Sequence, residues 1–216
     1  MQRLFKLAVT LFAFCFVACN SDFTPRPKGY AAIKLPEAGK YHSFNDPAFP
    51  YSFEYPAYAE VLKDSSYFGE KPENPFSVNI EFPSLKCKFY LSYKIIGGAT
   101  MYKVPGPDGK YRDSMAMNTF DKLLTDAYDL SNKNMVYKSE GGGDSLMTTP
   151  NGIQGVFFNA QGNAASPMQF FVSDSTRHFL RGSVYYDASP NADSTAPVTR
   201  FLYPELQHLI NTLKWK

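Results

Sequence analysis

Two consecutive runs of alternating side chains, 77–82 and 86–94, limit the possible folds more than any other part of the chain. Val78, Ile80 and Phe82 fall on one side of the first run. In the second, Cys87, Phe89, Leu91 and Tyr93 fall on one side, and Lys86, Lys88, Tyr90, Ser92 and Lys94 on the other. Successive residues of an extended strand point to opposite faces, so each run offers one apolar face to a core; wound as a helix, the same residues would scatter around the axis. The link Pro83-Ser-Leu85 is short enough for an antiparallel hairpin. The pattern sends Cys87 inward as a buried structural thiol, because a reactive thiol needs a polar, cationic and accessible setting.

The rest of the chain supplies neighbours for that hairpin. Phe49-Pro-Tyr-Ser-Phe-Glu-Tyr-Pro56 puts Tyr51, Phe53 and Tyr55 at period two between prolines and reads as a short or edge strand; residues 30–35 read as an earlier one. Further strands are expected at 153–159, 168–174 and 179–186. Their links carry turn formers, Gly162, Asn163 and Pro167 in one and Asp174 and Ser175 in the other, which suits antiparallel neighbours. Phe120, Leu123, Leu124, Ala127 and Tyr128 recur at helical spacing and predict a helix over 116–131, capped by Asn118 or Thr119. Leu202, Leu206, Leu209, Ile210 and Leu213 predict a closing helix with Asp193, Ser194 or Thr195 as its cap. Pro204 either kinks that helix or starts it, and Trp215 is expected to dock on the sheet.

Residues 97–113, with their glycines and prolines, read as an exposed excursion. Gly141, Gly142 and Gly143 read as a flexible turn, since a phosphate loop would need a following lysine and helix. Phe 19 and Tyr 15 against Trp 1 provide enough large side chains to fill the core of a sheet. The sum is one α+β domain, residues 30–216, with an antiparallel sheet of about five to seven strands covered by about two helices.

At the front, Arg3 and Lys6 precede an apolar stretch, 7–18, shorter than the roughly 20 residues that span a bilayer. It ends in Phe16-Val-Ala-Cys19, which resembles a lipobox: small residues admit the signal peptidase, and the thiol takes a diacylglyceryl group. Phe16 stands where Leu, Val or Ile is usual. Residues 1–18 are therefore expected to be a lipoprotein signal peptide, Cys19 the lipidation site, and 19–29 an anchor and tether stretched by Pro25 and Pro27. Each buried acyl methylene contributes about 0.8 kcal/mol, so a multiply acylated cysteine holds firmly to a membrane. Asn20 occupies the place where Asp retains lipoproteins at the inner membrane, which favours the outer membrane; a lone Asp22 is too thin an acidic signal for surface export, which favours the periplasmic side. Of 22 basic residues two lie in the leader, leaving 20 against 20 acidic ones. A domain so nearly neutral, without a basic stripe, is no nucleic-acid binder. With Cys15 and Cys19 in or beside the leader, Cys87 alone forms neither an internal disulfide nor a multi-cysteine zinc site.

Five blocks carry a family resemblance. They are Asp22-Phe-Thr-Pro-Arg-Pro-Lys-Gly-Tyr30, the 49–56 block quoted above, Gly162-Asn-Ala-Ala-Ser-Pro-Met-Gln-Phe170, Asp174-Ser-Thr-Arg-His-Phe-Leu-Arg-Gly182, and a last stretch with His208-Leu-Ile210 and Lys214-Trp-Lys216. In this order they resemble the gliding-motility lipoprotein family GldD of Bacteroidota over nearly the whole mature chain. The resemblance implies a non-catalytic cell-envelope lipoprotein of the gliding apparatus, linked to type IX secretion and working with other envelope proteins of that machinery. It implies no cofactor, no metal and no site residue except the anchor Cys19. In outline the chain also resembles the PsbP/Mog1-like fold, by analogy alone.

His42, His178 and His208 are the near-neutral acid–base candidates. Asp174, Ser175 and His178 suggest a hydrolytic group, yet Asp174 and Ser175 at a strand end more often build an Asx-type turn, and no two histidines have ligand spacing. Catalysis is therefore not expected. Asp-Ser pairs followed by a small or apolar residue resemble the periplasmic O-glycosylation sequons of Bacteroidota, which makes Ser114, Ser145, Ser175 and Ser194 candidate sites. A contact surface for protein partners is expected at Asn163, Ser166, Asp174, Arg177, His178 and Arg181, where polar residues interrupt strand chemistry. The alternative is a periplasmic ligand- or glycan-binding module using Tyr51, Phe53 and Tyr55.

Overall fold

The two alternating runs form neighbouring strands inside a seven-stranded antiparallel sheet. The computed structural model describes residues 33–63, 75–136, 139–187, 189 and 191–216. The expected leader, Cys19, the tether and residues 30–32 lie outside the described residues, and residues 33–35 belong to no strand. In chain order the elements are β1 (Tyr41–Phe44), β2 (Tyr51–Pro56), β3 (Glu60–Lys63), β4 (Val78–Phe82), β5 (Cys87–Ile95), β6 (Ala99–Pro105), β7 (Tyr111–Met117), α1 (Phe120–Val136), β8 (Ser139–Thr148), β9 (Gln154–Gly162), β10 (Met168–Ser173), β11 (His178–Tyr186), α2 (Ala192–Thr212) and β12 (Lys214–Trp215). The large sheet has the order β3-β4-β5-β11-β10-β9-β8, a small one has the order β1-β2-β12, and β6 and β7 form a ribbon. The class is α+β, as the pattern of runs implies.

Alternation decides which residues meet. One face of the large sheet buries Val78, Ile80, Phe82, Cys87, Phe89, Leu91, Tyr93, Phe170, Val172, Leu180 and Val184. Against this face pack Tyr51 and Phe53 of the small sheet and the apolar stripe of α2, Val198, Leu202, Leu206, Leu209 and Ile210. Each such leucine, once buried, contributes about 1.5–3 kcal/mol. The opposite face carries Val156, Phe158, Phe171 and Phe179, which are covered by Leu123 and Ala127 of α1. Helix α1 thus sits over β8, β9, β10 and β11, and among the described residues no helix lies on the second face of β4 and β5.

Several expectations need correction. The excursion 97–113 is largely the β6–β7 ribbon: its glycines and prolines mark the two ends of a hairpin, and Thr100, Met101 and Val104 between them suit a strand. Gly141, Gly142 and Gly143 belong to β8, where pairing with β9 holds their backbone extended, with a register shift between Ser139 and Gly141. Helix α1 starts at Phe120 because residues 116 and 117 are committed to β7. Thr119 caps it, its hydroxyl accepting from Lys122 N at 3.3 Å. Asn191, upstream of all three expected candidates, caps α2 by accepting from Ser194 N at 3.3 Å. Helix α2 neither begins nor ends at Pro204; Pro197 and Pro204 both lie within it and are exposed, so their distortion falls on the solvent side. Trp215 docks as expected, paired with Tyr51 through the backbone and stacked on His178 at 4.9 Å between ring centroids.

Candidate functional site

The uncovered part of the second face is the candidate site. Alternation that sends Phe89, Leu91, Gly182 and Val184 inward sends Lys88, Tyr90, Ser92, Arg181, Ser183 and Tyr185 outward. Register sets them in three rows. Ser92 lies opposite Arg181; Asn79, Tyr90 and Ser183 form the next row; Glu81, Lys88 and Tyr185 form the third. All of these residues except Glu81 line a cleft of about 450 Å³ together with Ser77, Tyr186 and Asp187. Gly182 sits between the two principal residues of β11 for a steric reason. A Cβ there would come within 2.5 Å of Phe89 Cζ and 2.9 Å of Phe170 Cζ.

Electrostatically the cleft is unfinished. Ser183 is 2% exposed, and its buried hydroxyl has no hydrogen-bond partner among the described residues. Arg181 is half-buried; its Nη2 donates to Gln169 Oε1 at 2.5 Å, while its buried Nε has no acceptor among the described residues. Burial pushes the Arg181 pKa down, with the nearby Tyr185 phenol acting the other way. Among the described residues Arg181 has no ion pair. Lys88, by contrast, donates to Glu81 Oε1 at 2.8 Å, which holds its pKa up. Tyr90 and Tyr185 pack edge-to-face, 5.7 Å apart. The arrangement can receive a group that brings hydrogen-bond acceptors to Arg181 Nε and the Ser183 hydroxyl.

The expected contact residues do not come together as one surface. Asn163 and Ser166 lie before β10 and Asp174 and Arg177 after it, so the six residues of the strand hold them about 20 Å apart. Asn163 accepts from Ala192 N at 2.8 Å, and Ser166 is fully buried, donating to Met168 O at 3.3 Å. Asp174 Oδ1 accepts from the backbone N–H groups of Thr176, Arg177 and His178 at 3.0, 2.8 and 2.8 Å, so the pair with Ser175 makes a turn. Burial acts to raise the Asp174 pKa, but these three bonds outweigh it and hold the group below its ordinary value. Of the six residues, only Arg181 lines the cleft.

His178 points into the core. It is 5% exposed, its Nδ1 lies 2.6 Å from Tyr93 Oη, and its ring is stacked on Trp215. Burial depresses its pKa; Asp174 opposes this and Arg177 adds to it. The imidazole nitrogen that would serve an exposed Ser175 is thus engaged with Tyr93. His208 Nε2 meets Glu54 Oε2 at 2.7 Å and stacks on Tyr41, and His42 packs edge-on against Tyr55. Among the described residues no group of three or more His, Cys, Asp or Glu side chains is placed to hold a metal ion. Tyr51 at 0% and Phe53 at 2% exposure are core residues, with Tyr55 half-buried beside them, so the ligand-binding group expected at these three is not an open cleft. Ser145 and Ser175 are exposed, while Ser114 and Ser194 are half-buried.

Asn79, Lys88, Tyr90, Ser183 and Tyr185 escaped the sequence reading. Their only signal was two tyrosines on the polar face of strands that turn out to be neighbours, and a polar face reads as a solvent face until the helix cover is known.

Compared with known proteins, the chain matches the family described as gliding motility lipoprotein GldD over residues 20–215. Among curated proteins none matches. Among solved structures, the solution structure of cyanobacterial PsbP (CyanoP) from Synechocystis sp. PCC 6803 is similar at a TM-score of 0.40 and 8% identity. It covers 85% of this chain and 98% of that one. The family match begins one residue behind Cys19 and runs through the described domain to Trp215, and the chain belongs to the gliding motility lipoprotein GldD family, which associates it with the membrane of the cell envelope.

Proposed function

We propose that this protein is a non-catalytic accessory component of the gliding and type IX secretion machinery of Bacteroidota, held by lipid on Cys19 at the periplasmic side of the outer membrane and acting by docking to other envelope proteins. The observation that carries this reading is the half-covered second face of the large sheet. There β4, β5 and β11 present a cleft in which, among the described residues, the buried Arg181 Nε and Ser183 hydroxyl have no hydrogen-bond partner. Natural domains satisfy nearly all buried polar groups, so a site with two orphan donors on an uncovered face is what a docking component would present to its neighbour. Deleting the gene tests this. Colony spreading and release of type IX cargo are expected to fall, and normal spreading with unchanged cargo release would overturn the reading. Cys19→Ala is expected to move the protein from the membrane pellet to the soluble fraction.

The alternative of a ligand-binding module transfers from Tyr51, Phe53 and Tyr55 to this same cleft, whose volume lies within the ~300–1,000 Å³ usual for small-ligand sites.

A further inference from the structure

The geometry points to the Arg181–Ser183 cleft as a socket for one carboxylate side chain, Asp or Glu, presented by a protein partner. This rests on the docking role proposed above and names the chemistry of the contact. Ser183 is the first argument. Its hydroxyl is buried in the cleft lining with no partner among the described residues, and such a group is destabilising until an acceptor reaches it. Arg181, on the same face two residues earlier, has spent Nη2 on Gln169 and keeps a free Nε. The two Cα positions are about 7 Å apart along the strand, a gap that a carboxylate with one charge-assisted hydrogen bond on each side can bridge.

Charge selects a carboxylate over a phosphate. Lys88, the other cation of the cleft, is neutralised by Glu81, and Asp187 lines the same space. Asp187 balances the remaining charge of the lining, yet Arg181 is the cation there without an ion pair among the described residues; a single carboxylate leaves one excess negative charge where a dianion would leave two in a half-desolvated site. The surroundings select a side chain over a free acid. The cleft lies on a sheet face that no described helix covers, where the backbone carrying the acid has room, and the Tyr90–Tyr185 pair supplies the kind of aromatic contact found at protein hot spots.

The test uses the full chain with its lipid in detergent micelles and follows the Arg181 Nε–H resonance by NMR. Four probes are added in turn: acetyl-Ala-Glu-Phe-amide, acetyl-Ala-Gln-Phe-amide, acetate and inorganic phosphate. The Glu peptide is expected to give a saturable shift and to bind about tenfold more tightly than each of the others, and Ser183→Ala to weaken it by about tenfold with the fold intact. Equal binding of the two peptides, phosphate or acetate binding as tightly as the Glu peptide, no saturable shift, or an unchanged affinity in Ser183→Ala would each overturn the socket. These outcomes are read on purified protein. A dead titration with impaired gliding in the deletion strain sinks the socket alone, and a working titration with normal gliding and secretion sinks the docking role alone.

Discussion

Replacing Gly182 by alanine adds one methyl at the most crowded point of the core. Its backbone is not in the left-handed region, so alanine is allowed there on conformational grounds and would on its own gain about 0.5–1 kcal/mol over glycine in a strand. Packing opposes this. The new Cβ would lie 2.5 Å from Phe89 Cζ and 2.9 Å from Phe170 Cζ, with Phe170 Cε1 nearer still, where carbon atoms prefer about 3.5–4.0 Å. Both rings are at most 1% exposed and pack against each other at 5.7 Å, so neither has free space to swing into. Overpacking of this kind costs about 1–3 kcal/mol, and with two rings to displace the upper end applies, for a net loss of about 2 kcal/mol. In a domain of this size that lowers Tm by about 4–8 °C, read by circular dichroism with urea unfolding as a second measure. Phe89→Leu withdraws one of the ring carbons that crowd the methyl. The double variant Gly182→Ala/Phe89→Leu is therefore expected to be less destabilised than the two single losses added together, by about 1 kcal/mol or more. A Tm for Gly182→Ala within 2 °C of the parent, or strict additivity in the cycle, would refute the steric account of why glycine separates Arg181 from Ser183.

Ser183→Ala removes an unpaired buried hydroxyl and is expected to stabilise the isolated protein by about 1 kcal/mol in urea unfolding; a loss would mean that the hydroxyl is satisfied internally. Cys87 is 2% exposed and burial pushes its thiol pKa up to about 12, so Ellman's reagent should find it only after unfolding, and rapid labelling of the native protein would contradict this. His178 has a depressed pKa from burial, so below the unfolded value of about 6.5 the unfolded chain binds a proton that the folded one resists. Its stabilising contribution is complete above that pH and is lost as pH falls through the folded pKa. The imidazole titration by NMR should accordingly have its midpoint under 6.5, and a midpoint above it would reverse the sign. Trp215→Ala uncovers that imidazole and is expected to cost about 2–3 kcal/mol and move the His178 midpoint back toward 6.5; an unmoved midpoint would show that the stack does not shield it.

The parts of the fold legible in the sequence are those in which apolar spacing and burial coincide. Val78 to Phe82 and Cys87 to Tyr93 alternate because one face is core and the other is not, and the hairpin, its turn and the inward Cys87 follow directly. Helix α2 is legible for the same reason, one leucine stripe on one core. The ribbon β6–β7 and the glycines of β8 were misread because glycine signals a turn only when nothing else pairs its backbone, and pairing with β7 and β9 is a tertiary fact. His178 was read as a surface group because it follows a polar turn, yet the first residue of β11 already alternates inward, where Tyr93 and Trp215 receive it. The candidate site was hidden by the opposite error. Tyr90, Ser183 and Tyr185 sit on faces that look solvent-bound in each strand taken singly. What makes them a site is the fold's placement of β5 beside β11, some ninety residues apart in sequence, and the limited reach of α1.

The smallest strand has the largest kinetic consequence. Strand β2 obtains one neighbour at once, from β1, but its other edge waits for β12, which lies more than 150 residues further along. Segments so far apart close late, because the loop entropy must be overcome before the contact gives anything back. A chain threaded across a membrane with its front end leading would thus keep Tyr51 and Phe53 only partly enclosed until Trp215 arrived to seal them. Such a delay would keep a chain in passage pliable and leave its aromatic cluster open on the far side. A purification tag placed directly behind Lys216 would burden the step that pairs β12 with β2.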